Sequence, residues 1–220
     1  MKNLLVLLFI LTSTLFSHEI IINDNLKKNL HSHDSVVYIT DNIDETINLV
    51  KTKKFKLVQK AHFSRSSKII WTKFKVKNDS KEDKKIFFRN IRAGIDYIDV
   101  YILKNNKLLK TIFLGDLRSQ DDRLLLSKYS AFRFTFKKNS EYEIIFRYQG
   151  LGAISNKWEI YDGREFFIQE TKENLLWGII AGLIFSIMIY NLLFYFNTKY
   201  KAFLFYILAS LFALGYILSL

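Results

Sequence analysis

The sequence predicts a mainly β sandwich ectodomain followed by two transmembrane α-helices, and three observations predict it. Apolar residues alternate with polar ones at period two in several segments between positions 70 and 148. Two long stretches, 175–196 and 202–220, carry no formal charge. A short apolar run sits at the extreme N-terminus, behind a single lysine.

The N-terminal run comes first. Met1, Lys2 and Asn3 precede an unbroken apolar or small segment at 4–16, then Ser17, His18 and Glu19. A positive start, a core of that length and a small residue before polar sequence form the signal-peptide pattern, so residues 1–17 are expected to direct export with cleavage after Ser17. Leu15 is larger than the residue preferred two places before a cleavage site, and an uncleaved anchor is the alternative.

Residues 20–68 carry no long alternation and are expected to be irregular, with one short helix at 44–54 whose apolar face is Ile47, Leu49 and Val50. The rhythm then changes. Ile70, Thr72, Phe74 and Val76 alternate with Trp71, Lys73, Lys75 and Lys77, which places the first set on a buried face, and Asn78, Asp79 and Ser80 end the strand. Ile98, Val100 and Ile102 repeat the pattern between Tyr97, Asp99 and Tyr101, and Asn105 and Asn106 turn the chain into 108–114. Phe132, Phe134 and Phe136 follow, then Tyr142, Ile144, Phe146 and Tyr148. Short strands with a turn signal every dozen or so residues predict a sandwich or barrel over residues 18–170.

The 22 uncharged residues at 175–196 make about 33 Å of helix, enough for a hydrocarbon core of about 30 Å. The second stretch, 202–220, makes about 28 Å and is just adequate. Between them Asn197, Thr198, Lys199, Tyr200 and Lys201 form a basic hairpin, whereas Lys172 before the first span is offset by Glu173. Lysine favours the cytoplasmic side, so the hairpin is expected inside and the sandwich outside. Trp177, Tyr195 and Tyr200 fall near the two interfaces, where amphipathic rings prefer to sit.

Composition removes several function classes. The chain has no cysteine, which excludes disulfides, cysteine-ligated zinc and thiol nucleophiles, and no proline. Residues 18–170 hold 29 Lys and Arg against 20 Asp and Glu, but the charges are scattered and the densest run, Lys51, Lys53, Lys54 and Lys56, accompanies no nucleic-acid motif. That run reads as a solvated basic face, and no nucleic-acid partner is expected. His18, His31, His33 and His62 lack the further ligands and scaffold of a metal site, so no metal and no cofactor is expected. Asp121 and Asp122 beside Arg118 and Arg123 read as local charge pairing, and the Gly150–Leu151–Gly152 turn lacks the third glycine of a nucleotide fingerprint. No paired carboxylates or nucleophile motif suggests an enzyme.

Binding fits better. Trp71, Tyr97, Asp99 and Tyr101 lie on the outward stripe of their strands, where aromatic faces beside a carboxylate can stack on and orient a sugar or another flat small ligand. The alternative is that residues 20–68 cover that stripe and make it secondary core. In the first span, Gly178 and Gly182 form a small-xxx-small pair that lets another helix approach closely, and Asn191 supplies a polar group for an interhelical hydrogen bond, so all three are expected helix-packing residues.

The order of these pieces carries a resemblance. Residues 71–78 (WTKFKVKN), 96–103 (DYIDVYIL), Gly115 with Asp116, Arg147, and 177–196 (WGIIAGLIFSIMIYNLLFYF) together resemble the bacterial seven-transmembrane receptors with diverse intracellular signalling modules, over roughly residues 36–220. The resemblance is to their second type of extracellular domain and the start of the membrane domain. It implies a jelly-roll-like sandwich that binds carbohydrate-like or other small ligands in the periplasm, an inner-membrane location, and further helices leading to a cytoplasmic output domain or partner, which this sequence does not include. A membrane-tethered carbohydrate- or envelope-binding module without signalling is the alternative reading.

Overall fold

A long strand, Ile69–Asn78, is the spine of the ectodomain. The computed structural model describes residues 19–219 except 25, 27, 31–33, 60–61, 65–67, 120–124 and 126. The expected signal peptide and His18, His31, His33, Asp121, Asp122 and Arg123 lie outside the described residues.

In chain order the elements are β1 (Glu19–Ile22), β2 (Lys28–Leu30), β3 (Asp34–Thr40), α1 (Ile47–Val50), β4 (Lys56–Gln59), β5 (His62–Phe63), β6 (Ile69–Asn78), β7 (Lys84–Asn90), β8 (Tyr97–Lys104), β9 (Lys107–Leu114), β10 (Ala131–Phe136), β11 (Ser140–Gln149), β12 (Ile154–Ser155), β13 (Trp158–Asp162), α2 (Gly163–Thr198) and α3 (Ala202–Ser219). A seven-stranded sheet runs β4-β3-β6-β11-β8-β9, with β1 added in parallel beside the C-terminal half of β6. A four-stranded sheet runs β10-β7-β13-β2, and β12 pairs with β5 alone. The chain divides into two units after Glu165.

The two larger sheets share one core. Alternation put Ile70, Thr72, Phe74, Val76, Ile98, Val100, Ile102, Tyr142, Ile144, Phe146 and Tyr148 on the inner face of the large sheet, and all of them are buried. The small sheet contributes Phe88, Phe132, Phe136 and Trp158. Phe88 stacks on its cross-strand neighbour Phe132 at 4.7 Å between centroids within the small sheet, and Phe146 of the large sheet lies 4.8 Å from Trp158 of the small one, so the sheets meet through aromatic rings, each bringing a large apolar area. One polar chain runs through this core. Trp158 Nε1 donates to Tyr148 Oη at 2.7 Å, and Tyr148 and Thr72 both donate to Asn156 Oδ1 at 2.6 and 2.7 Å. Each of these four buried side chains thus has a hydrogen-bond partner, as an apolar interior requires. Burial drives the Tyr148 phenol far above its ordinary pKa, against the opposing pull of its hydrogen bonds with Trp158 and Thr72.

Turn chemistry follows the sequence. Asn105 and Asn106 both take left-handed backbone, φ 50° and 63°, the requirement of a two-residue hairpin whose twist matches its strands. Gly115 has φ 122°, and a Cβ there would stand 2.2 Å from the Asp96 carbonyl oxygen, so only glycine fits.

Three features differ from the expectation. The segment expected to be irregular holds β1 to β5, short strands that take their order from neighbours rather than from their own pattern. The helix expected at 44–54 is only the four residues of α1. β7 and β13, two of the four strands of the small sheet, carry no alternation to read: Ile86, Phe87, Phe88, Arg89 and Asn90 are all buried, and β13 is five residues long.

At the end of the sandwich β13 becomes α2 with no residue between. Asp162 Oδ1 accepts the Glu165 backbone N–H at 2.8 Å, which caps the helix, and a Cβ on Gly163 would come within 3.2 Å of the Phe87 ring. Helix α2 has 36 residues, about 54 Å, and is long and apolar enough to cross a membrane; α3 is a shorter apolar helix. Helix α2 therefore begins twelve residues before the uncharged stretch at 175–196. The Lys199 N–H closes α2 on the Tyr195 carbonyl at 2.8 Å, with Lys199 at φ 55°. A Cβ at Gly178 or Gly182 would meet nothing within 4 Å, and Asn191 Nδ2 donates to its own helix at the Ile187 carbonyl, 2.8 Å.

Candidate ligand-binding face

Strand register assembles one row of side chains across the outer face of the large sheet. Tyr38 pairs with Trp71, Trp71 with Arg147, Arg147 with Asp99, and Asp99 with Phe113. Tyr97 and Tyr101 flank Asp99 on the same face of β8, two residues away on either side. The four residues expected to form a ligand platform are thus neighbours, as alternation predicts.

Their exposure differs from the open stripe that alternation suggested. Trp71 is 0% exposed. It stacks on Tyr101 with centroids 5.8 Å apart and planes 22° apart, and the Arg147 guanidinium lies 5.9 Å from its ring. The cover is the segment that includes α1: Val50, Ile47, Phe55 and Tyr38 pack with Trp71, Ile69, Leu103 and Ile145 in a second apolar cluster. Polar contacts tie the cover down. Arg147 Nη2 donates to the Ile43 carbonyl at 3.1 Å, Tyr38 Oη donates to Glu45 Oε1 at 3.1 Å, Lys53 pairs with Glu45 at 3.5 Å, and Lys51 Nζ donates to the Asn106 carbonyl at 3.2 Å. Trp71 is therefore core, and the accessible part of the row is Tyr97, Tyr101 and the residues around Asp99.

Asp99 is 5% exposed and sits between two guanidinium groups. Arg147 Nη1 donates to its Oδ2 at 3.1 Å and Arg118 Nη2 donates to Oδ1. The Arg118 guanidinium also lies over two rings, 4.6 Å from the centroid of Phe113 and 5.5 Å from that of Tyr97. Burial, and then the Asp99 charge, hold the Tyr101 phenol above its ordinary pKa. Among the described residues, three buried side-chain polar atoms have no hydrogen-bond partner: Trp71 Nε1, Glu45 Oε2 and Arg118 Nη1.

Sequence reasoning missed Arg118 and Arg147 as site residues. Arg118 read as part of a local charge pairing with Asp121 and Asp122, which lie outside the described residues; among the described residues it pairs with Asp99, 19 residues earlier on another strand. It also missed a polar cavity of about 250 Å³ between Lys75, Glu141, Glu143 and the turn at Asn105 and Asn106. There Lys75 pairs with Glu141 at 2.8 Å, a bond that raises the lysine pKa, and Lys73 pairs with Glu143 at 3.3 Å. Among the described residues no group of three or more His, Asp or Glu side chains is placed to hold a metal; His62 lies on β5.

A β-sandwich with an aromatic and charged outer face is followed in the chain by a helix long and apolar enough to cross a membrane. The model of the 7TMR-DISM extracellular 2 family matches residues 35–162, and the chain belongs to that family, the sensor domain of membrane receptors. No curated protein matches the chain. Among solved structures it is similar to the Cry1Da tryptic core variant of Bacillus thuringiensis, at 9% identity and TM-score 0.33, over 66% of this chain and 25% of that one. It is similar to a family 35 carbohydrate binding module from Clostridium thermocellum, at 12% identity and TM-score 0.32, over 62% of this chain and 99% of that one. A third is CsCBM6-3 from Clostridium stercorarium, in complex with cellobiose, at 13% identity and TM-score 0.31, over 64% and 95%.

Proposed function

We propose that this chain is the sensing portion of a bacterial signal-transduction receptor. Its sandwich faces the periplasm, binds a small molecule or carbohydrate on the outer face of the large sheet, and passes the bound state to inner-membrane helices that couple to a cytoplasmic output. The observation that carries the reading is the direct passage of β13 into α2 in a domain of this receptor family. A domain that only captured ligand would work on a flexible tether, whereas a strand paired on both sides and continuous with a helix transmits displacement. The proposed ligand platform is Tyr97, Asp99 and Tyr101, with Trp71 beneath as support, and the proposed helix-packing residues of the first span are Gly178, Gly182 and Asn191.

Orientation is tested by reporter fusions. A periplasm-dependent reporter is expected to be active after residue 172 and inactive at Lys201, and the reverse pattern overturns the topology. The platform is tested by glycan-array binding of the full chain in detergent. Tyr97→Ala and Tyr101→Ala are each expected to weaken a wild-type ligand by about tenfold while the protein stays folded, because an aromatic contact contributes on the order of 1 kcal/mol beyond its area. Unchanged binding in both variants places the site elsewhere.

A further inference from the structure

Two arginines on the outer face share one carboxylate. Among the described residues Arg118 and Arg147 both pair with Asp99, beside the rings of Trp71, Tyr97 and Phe113. The nearby acidic side chains Asp96 and Asp116 are turned to backbone, accepting from the Leu151 and Gly94 N–H groups at 3.0 and 2.8 Å. Arg118 uses Nη2 on Asp99, while its Nη1 is shielded from water and has no partner. A charged donor in that state is costly, and a ligand oxygen relieves it. The Arg118 side chain keeps 22% of its surface open to solvent, and beside it Phe113 is 53% exposed and Leu117 64% exposed.

We propose that this corner binds the carboxylate of a small monoanionic ligand, with Arg118 as the principal partner, Arg147 as the second, and Phe113 and Tyr97 as the walls that receive the ligand's body. The proposal rests on the reading that the outer face of the large sheet is the ligand face. A guanidinium is a planar fork that meets a carboxylate through parallel N–H donors, and here it lies 4.6 and 5.5 Å from the centroids of the Phe113 and Tyr97 rings. The donors select the class of anion. A carboxylate brings one charge to the unpartnered Arg118 Nη1, whereas a phosphate dianion brings a second charge for which this arginine has no further unpartnered buried donor. The exposed ring of Phe113 and the side chain of Leu117 suit a flat or apolar body rather than a hydrated ion.

The test uses the full chain in detergent micelles at fixed ionic strength, titrated with benzoate and galacturonate and with their neutral counterparts benzamide and galactose. The signals followed are the arginine side-chain Nε–H resonances, assigned by their loss in Arg118→Gln and Arg147→Gln. Benzoate or galacturonate is expected to shift the Arg118 resonance to saturation, and the neutral molecules to leave it in place; which carboxylate binds more tightly tells an aromatic body from a sugar. Arg118→Gln should weaken binding by about tenfold or more, the size of one charge-assisted hydrogen bond. Asp99→Asn should tighten it, because both guanidiniums are released and the net charge rises. That variant's fold is checked by its dispersed amide spectrum. Carboxylates that bind no better than their neutral counterparts, or an Asp99→Asn protein that is folded and binds more weakly, overturn the proposal. If galactose alone binds and depends on Tyr101, the ligand face stands and the anion assignment fails.

Discussion

Trp71→Ala is expected to destabilise the ectodomain, residues 18–170, by about 3 to 5 kcal/mol, the usual cost of emptying a large buried aromatic site. The indole is fully buried, stacked on Tyr101 and packed beneath Val50, Ile47 and Phe55. Its removal opens a cavity at the point where the cover meets the sheet, and the four-residue α1 has too few contacts of its own to collapse into it. For a domain of this size the melting temperature should fall on the order of 10 °C. Tyr101→Ala should cost less, since that ring is only half-buried. A Trp71→Ala domain that melts within about 2 °C of the wild type would mean that the cover is not part of the folded unit.

The second large effect is expected in the small sheet. Arg89 and Glu159 are cross-strand partners on β7 and β13, and both Arg89 Nη2 and Nε donate to Glu159 Oε2, at 2.6 and 3.1 Å. Tyr161 Oη donates to the same oxygen at 2.5 Å, and the guanidinium lies 4.8 Å from the Tyr129 ring. Glu159→Ala removes the carboxylate from a nearly enclosed cation and should cost about 3 to 5 kcal/mol. The double variant Arg89→Met with Glu159→Leu should recover most of that loss, because the desolvation penalty of both ions disappears with them. Equal destabilisation in the single and the double variant would show that the pair's contribution is packing rather than charge. Thermal melts of the three proteins decide it.

The large sheet was legible because each of its long strands has one buried face. Ile98, Val100 and Ile102, or Ile144, Phe146 and Tyr148, alternate with residues that tolerate water, and the period of two shows through. β7 was not legible for the opposite reason: its outer residues Phe87 and Arg89 are buried as thoroughly as its inner ones, and the period vanishes. The candidate site shows the same limit one level up. Alternation correctly put Trp71, Tyr97, Asp99 and Tyr101 on one side of the sheet, but the side of a strand says nothing of what lies above it. The cover over Trp71 is held by Val50 and by single long side chains such as Arg147, none of which has a local pattern. The pairing of Arg118 with Asp99 is likewise a product of topology, since it joins the loop after β9 to the middle of β8.

The junction between Asp162 and Gly163 has a geometric consequence. A strand residue advances the chain by about 3.3 Å and turns its side chain by half a revolution, whereas a helix residue advances it by 1.5 Å and turns it by about 100°. The Asp162 side chain belongs to both periods: its residue stands opposite Ile86 on β7 as the last of the strand, and its carboxylate accepts the Glu165 N–H as the cap of the helix. The change of period is thus completed across one peptide bond, with a single carboxylate serving both sides of it.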